Sequence, residues 1–133
     1  MTTRETELEC VAERVLVGSA SGARILVRLG KPEMVTSVEW RAAVEIVRGD
    51  SRSTTRVLGY DAFHVLILAM QFIRDELDKE SEPFTCEDGE AGDTGFPLFV
   101  PQHLGRDFAR RMETTIKEEA EQFGARLRRS PKR

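Results

Sequence analysis

The chain has 133 residues, of which 40% are hydrophobic and 32% are charged, and its net charge is −3. This length supports one domain with a hydrophobic core, and this composition excludes an intrinsically disordered chain. No apolar run approaches the roughly 20 residues that a membrane-spanning helix needs. The first residues, MTTRETELE, also lack the apolar stretch of a secretory signal. We therefore expect a cytoplasmic globular protein.

Four segments in the N-terminal half have the composition of β-strands: residues 8–17, 23–29, 38–47 and 53–58. Each alternates apolar and polar side chains or is rich in threonine, and turn-forming links separate them. In the third segment we expect one inward-facing set, Val38, Trp40, Ala42, Val44 and Ile46, and one outward-facing set, Glu39, Arg41 and Glu45. The short links, together with one apolar face on each strand, predict an antiparallel meander. Arg24 and Arg28 are suited to pair across strands with Glu39 and Glu45.

Residues 60–80 form the longest helical pattern, and it carries two apolar stripes. At about 100° per residue, the first stripe contains Phe63, Leu66, Ile67, Met70, Ile73 and Leu77. The second contains Val65, Leu68 and Phe72. Asp61 is placed to cap the start of this helix. Two stripes indicate a helix that lies between two layers.

Residues 81–100 read as an ordered loop that aromatic side chains anchor to the core, with room for a short strand. A second helix is expected from Pro101 to about residue 123, ended by Gly124 or by the basic tail. Its apolar residues recur as a single stripe: Leu104, Phe108, Met112, Ile116, Ala120 and Phe123. The predicted fold is α+β, a four-stranded antiparallel meander with two helices packed on one face. It forms a single domain, 1–133, with a core of about 8–123 and a flexible tail, 124–133.

Three short motifs stand out between residues 13 and 97: Gly30-Lys31-Pro32-Glu33, Gly59-x-Asp61 and Gly95-Phe96-Pro97. Over roughly these residues the chain resembles a family of small bacterial proteins of unknown function, most specifically at these motifs. A Gln-Ala pair often follows the aspartate in that family, where this chain has Phe63-His64-Val65. The resemblance implies a bacterial cytosolic α+β domain and no established activity.

No catalytic or cofactor motif stands out. His64 has Leu68 at i+4, where a helical metal pair would need a second ligand, and His103 stands alone. Cys10 and Cys86 are expected to be reduced thiols. The acidic run from Glu87 to Asp93 lacks the ligand spacing of a calcium loop. We therefore expect no metal site, no cofactor and no catalytic residue.

Charge is distributed unevenly along the sequence. Residues 75–93 contain nine acidic residues and one lysine, whereas residues 126–133 contain five basic residues and no acid. We expect a non-catalytic protein-binding module, an immunity-type or regulatory partner, that presents Glu87, Asp88, Glu90 and Asp93 to a basic surface. The alternative is a small ligand-binding protein or enzyme with a pocket between sheet and helix. A monomer is favoured over a homodimer, and neither a nucleic acid nor a membrane is the expected partner.

Overall fold

The computed structural model describes residues 8–129, which form an antiparallel β-sheet and two helices. The strands are β1 (Cys10–Gly18), β2 (Arg24–Gly30), β3 (Glu33–Thr36), β4 (Glu39–Arg48), β5 (Ser51–Gly59) and β6 (Phe84–Thr85). The helices are α1 (Ala62–Asp78) and α2 (Arg106–Arg129). The predicted α+β class is confirmed, but the predicted number of four strands is wrong, because the sheet has six. The chain divides into two compact units after Leu98.

The two additional strands extend a meander rather than replace it. β1, β2, β4 and β5 pair in that order, each antiparallel to the next. β3 lies on the same edge of β4 as β2, with Leu29 opposite Val44 and Glu33 opposite Arg41. Pro32 separates β2 from β3, and a proline has no N–H to donate to the ladder. β6 adds two residues to the free edge of β1.

The core of the first unit lies between the sheet and α1. Leu16, Ile25, Val27, Val44 and Ile46 of the sheet pack with Ala69, Ile73 and Leu77 of α1 and with Phe84. Ile25 and Val27 of the second predicted strand are both buried. In β1, Leu16 is the buried side chain, whereas Val15 and Val17 are exposed on the opposite face.

The predicted stripes of α1 are only partly correct. The buried residues are Val65, Ala69, Ile73 and Leu77, four residues apart in each case. Phe63 and Ile67 of the first predicted stripe are exposed. Val65 comes from the second predicted stripe, and Ala69 from neither. The helix therefore faces the sheet with the side that contains Ala69, where a small side chain allows helix and sheet to approach closely.

Two positions of β4 also differ from the prediction. Val38 precedes the strand and is exposed, and Trp40 is only half-buried. Glu45 lies on the predicted outward face but is 4% exposed. Two arginines cover it, as described below.

The second unit contains α2, which begins at Arg106 rather than at Pro101 and continues through Gly124. Leu104 therefore lies outside the helix. The predicted buried stripe is wrong at Ile116, Ala120 and Phe123, which are exposed. The guanidinium of Arg126 lies 4.8 Å from the centre of the Phe123 ring. The predicted packing of the second helix on the sheet stays a prediction, and residues 130–133 of the predicted flexible tail lie outside the described residues.

Candidate protein-binding surface

The four predicted partner-binding acids share one hydrogen-bonded loop, residues 86–93, which we call the acidic loop. It closes where the Cys86 N–H donates to the Asp93 carbonyl oxygen at 2.8 Å. The Asp93 N–H in turn donates to the Glu90 carbonyl oxygen at 2.8 Å. Glu87, Asp88, Glu90 and Asp93 are all exposed. The backbone therefore presents four carboxyl groups within one short turn.

The acidic loop is anchored on both sides. Phe84, just before it, is buried in the core. Just after it, the Phe96 ring lies 4.6 Å beneath the Arg14 guanidinium. Arg14 Nη1 donates to the Thr94 carbonyl oxygen at 3.2 Å, and Arg74 Nη1 donates to that of Phe96 at 3.3 Å. The prediction of an ordered loop with a short strand is confirmed at the anchors Phe84 and Phe96, whereas Leu98, also expected to anchor it, is 75% exposed.

Four of the five acidic residues before the loop, all except Asp75, bond to other groups of the molecule. Three of them form ion pairs: Glu76 with Lys79 at 2.8 Å, Asp78 with Arg74 at 3.5 Å, and Glu80 with Arg48 at 2.7 Å. The hydrogen bond that Lys79 Nζ donates to the Glu76 carboxylate raises the pKa of Lys79. Among residues 8–129, none of the four acids of the acidic loop forms an ion pair. The charge available to a partner is thus concentrated in the acidic loop.

Glu82 holds the turn between β1 and β2. Its Oε1 accepts hydrogen bonds from the backbone N–H groups of Ala20 at 2.7 Å and Ser21 at 3.0 Å, and its Oε2 accepts from the Ser21 hydroxyl. The Ser21 hydroxyl, followed by the two backbone donors, lowers the pKa of Glu82 below its usual value. The sequence offered no signal for this contact, because the partners are about sixty residues apart.

Glu82→Gln is expected to lower stability at neutral pH and to weaken its pH dependence. A carboxyl group with a lowered pKa in the folded state stabilises the fold above its unfolded pKa, and this contribution is lost as the pH falls through the folded value. Urea unfolding at pH 7 and at about pH 3 measures it. The difference between wild type and variant should shrink at the lower pH. Glu87→Gln, in an exposed position, is the control, and equal pH profiles for both variants would contradict the role of Glu82.

A second surface feature is a cluster of exposed apolar side chains at one end of the sheet, which we call the apolar end. Met34 is 60% exposed, Val38 72%, Tyr60 64% and Phe63 79%. Met34, Trp40 and Gly59 form one row across three strands at this end of the sheet. Val38 precedes β4, Tyr60 follows Gly59 and Phe63 lies in the first turn of α1, so all four side chains belong to the same end. The sequence pattern placed Phe63 and Val38 in the core, and only the fold shows that they are exposed.

The face of the sheet opposite α1 carries a charged network. Arg28 Nη1 and Arg52 Nη1 each lie 3.0 Å from a carboxylate oxygen of Glu45, whose side chain is 6% exposed. Arg28 Nε also lies 3.3 Å from Glu13. The bond to Glu45 raises the pKa of Arg28. The predicted pairing of Arg28 with Glu45 across neighbouring strands is confirmed.

Two depressions lie on this face as well. One, of about 720 Å³, is lined in part by Lys31, Glu33, Arg41, Thr54 and Arg56. The other, of about 650 Å³, is lined by side chains that include Val15, Val17, Arg24 and Glu87. Neither is lined by α1. Leu16, Val65 and Ala69, which lie between the sheet and α1, are fully buried. The predicted pocket between sheet and helix stays a prediction.

His64 has a structural role at the start of α1. It is half-buried, its ring stacks on Tyr60 with centroids 4.0 Å apart, and its Nδ1 accepts a hydrogen bond from the Tyr60 N–H at 3.1 Å. Within residues 8–129, no group of three or more His, Cys, Asp or Glu side chains could hold a metal ion. Cys10 and Cys86 are free cysteines.

The segments that carry the family resemblance fix tight local geometry. Asp61 caps α1 as predicted, with its Oδ1 accepting from the His64 N–H at 2.8 Å. A side chain on Gly59 would meet the Val65 backbone nitrogen at 2.9 Å, so this position needs glycine. Gly95 has φ +79°, a conformation that side chains rarely adopt. These residues therefore shape the helix start and the end of the acidic loop.

The fold defines an α+β domain in which one helix covers an antiparallel meander, and a family model matches that domain. The model is described as a domain of unknown function (DUF6968), and it matches residues 12–98, which is more than half of the chain. The chain therefore belongs to this family. No curated protein and no solved structure matches it. Among the described residues, no helix has the length and apolarity needed to cross a membrane.

Proposed function

We propose that the chain is a non-catalytic protein-binding module of the bacterial cytosol. The observation that supports this function is the apolar end, where Met34, Val38, Tyr60 and Phe63 are each at least 60% exposed. Clustered exposed apolar side chains mark interaction surfaces on soluble proteins. Aromatic residues and methionine are also the types enriched in protein interfaces.

The acidic loop gives this module a preference for partners with a basic surface. Among the described residues, its four carboxyl groups are exposed and form no ion pair, and its backbone is held in place by hydrogen bonds. Fixed surface charge of this kind speeds association and selects partners more than it adds affinity. An immunity-type or regulatory role, in which the module binds and restrains another protein, fits this combination.

The alternative is a small ligand-binding protein or enzyme. Its strongest support is the depression lined by Lys31, Arg41 and Arg56, which suits an anionic ligand. That depression also contains the carboxylates of Glu9 and Glu33, which disfavour an anionic ligand. We therefore favour protein binding.

A capture experiment tests the proposal. The wild-type chain is immobilised and exposed to lysate of the source cell, beside Phe63→Gln in the apolar end and Val11→Thr, an exposed valine on β1, as a matched control. We expect Val11→Thr to retain the captured protein. Phe63→Gln should lower the affinity for that protein at least about tenfold, as the loss of an aromatic interface residue does. The double variant Glu87→Lys, Glu90→Lys should slow association at low ionic strength and have little effect at high salt. Capture that is equal for wild type and Phe63→Gln would contradict the proposed surface.

A further inference from the structure

β5 is a long edge strand with one side free. All nine of its residues pair with β4, from Ser51 opposite Arg48 to Gly59 opposite Trp40, without a register shift. Within residues 8–129, no strand and no backbone hydrogen bond occupies its other side. β5 contains no proline and no lysine. It therefore lacks most of the devices that normally protect a sheet edge from pairing with another chain.

The geometry of the β4–β5 turn determines which backbone groups are free. Gly49 and Asp50 connect the strands, and Gly49 has φ +58°, which suits the first central position of a type II′ turn. In a two-residue hairpin the closing pair, here Arg48 and Ser51, exchanges both of its hydrogen bonds. The odd-numbered residues of β5 thus bond to β4. The N–H and C=O groups of Arg52, Thr54, Arg56 and Leu58 point away from the sheet.

The opposite edge of the sheet is protected in a way that β5 is not. β1 has a register shift between Cys10 and Ala12, and β6 pairs with its C-terminal end. Between them, the Arg14 side chain reaches across to the Thr94 carbonyl oxygen. A bulge and a covering segment both hinder the addition of a strand. Strand addition to this sheet is therefore best accommodated at β5.

The charge on β5 indicates what kind of strand would pair with it. Arg52 and Arg56 lie on the same face, and Arg41 of β4, opposite Leu58, lies diagonally across from Arg56. Arg52 shares Glu45 with Arg28, whereas Arg56 has no ion pair among the described residues. A second copy of β5, paired antiparallel about Thr54, would place Arg52 opposite Arg56 twice. Like charges directly opposite destabilise a pair, so self-pairing in this register is disfavoured, whereas acidic side chains opposite the two arginines are favoured.

We propose that the free edge of β5 binds an extended acidic segment of a partner protein, which adds to the sheet as an antiparallel strand. Acidic side chains of the segment lie opposite Arg52 and Arg56, and an apolar side chain lies opposite Leu58, which is exposed. The main-chain hydrogen bonds give affinity and the alternate side chains give specificity. This inference rests on the proposed protein-binding function and names a second type of contact, next to the apolar end.

Titration with a synthetic peptide, followed by amide NMR, tests the inference. The probe is acetyl-Val-Thr-Glu-Thr-Thr-Thr-Glu-amide, which places valine opposite Leu58 and the glutamates opposite Arg56 and Arg52. We expect it to slow hydrogen exchange at the amides of Arg52, Thr54, Arg56 and Leu58. A peptide with lysine in place of both glutamates should not do so. Arg56→Glu should weaken binding of the acidic peptide by about fivefold or more and reverse the preference between the two peptides.

Two further variants separate edge pairing from general attraction. Thr54→Pro removes one free N–H of the edge and should abolish binding, with the β4 amide shifts unchanged, since an edge proline is tolerated where its N–H faced solvent. Arg24→Glu, an exposed arginine of β2, is the charge control and should have a smaller effect than Arg56→Glu. Unchanged hydrogen exchange at all four amides would overturn the inference and would indicate that Arg52 and Arg56 protect the edge from strand addition. If capture of a partner still depended on Phe63, the proposed protein-binding function would stand without strand addition at β5.

Discussion

Ile73→Ala is expected to lower the free energy of unfolding by about 2–5 kcal/mol, as large-to-small changes in a packed core do. Ile73 is 1% exposed and belongs to the core cluster between the sheet and α1. Ile67→Ala, two turns earlier on the same helix, should cost about 1 kcal/mol or less, because Ile67 is 38% exposed. The same chemical change thus has different consequences at two positions that the sequence pattern placed on one stripe.

Urea unfolding, followed by circular dichroism, measures both losses. Equal slopes against urea for wild type and variants would show that only stability has changed. Ile67→Ala serves as the matched control because it has the same helix propensity change. A loss at Ile67 as large as that at Ile73 would mean that α1 buries its first predicted stripe and would contradict the orientation described here.

The orientation of α1 could not be predicted because apolar residues surround most of the helix. A wheel shows which residues share a side, but it cannot decide which of two apolar sides faces the sheet. Ala69 was overlooked because a small side chain contributes little to such a pattern. In the structure it lies where helix and sheet approach each other, a property of packing rather than of hydrophobicity. The start of the helix was predictable, because capping by Asp61 depends on local geometry alone.

The strands show the same limit. Val15, Leu16 and Val17 are all apolar, so alternation could not identify Leu16 as the buried residue of β1. β6 is only two residues long, below the length at which alternation can be recognised. Pro32, which precedes β3, predicts the end of a strand. After it, however, the chain pairs again with β4, the strand that also pairs with β2. The antiparallel class was predictable from short links, but the number of strands was not.

The candidate surface was predictable where it depends on charge in sequence order. The acidic loop was recognised as a carboxylate-rich turn, and the exposure of its side chains agrees with that reading. The apolar end was not recognised, because it brings together residues from β3, the following turn and α1. Apolar side chains are assigned to a core by default, and only the fold shows that Phe63 and Val38 lie outside it. The division of the acidic segment into paired and unpaired carboxylates likewise required the fold.

Glu45→Gln is expected to lower the free energy of unfolding by about 1–3 kcal/mol. The Glu45 side chain is 6% exposed and accepts one hydrogen bond from each of two arginines. Removing its charge leaves Arg28 and Arg52 close together without their shared counter-charge, and the loss of a charged hydrogen bond usually costs this much. Both arginines reach water, so the loss should be smaller than the roughly 3–5 kcal/mol of a fully buried pair.

Glu13→Gln is the control for this prediction. Glu13 lies 3.3 Å from the same Arg28, but its side chain is 58% exposed. Its removal should cost less than about 1 kcal/mol, as for a surface ion pair. High salt should reduce the effect of Glu13→Gln more than that of Glu45→Gln, because buried charges are screened less. Equal losses with equal salt dependence would show that Glu45 is a surface carboxylate like Glu13, and that the two arginines do not depend on its burial.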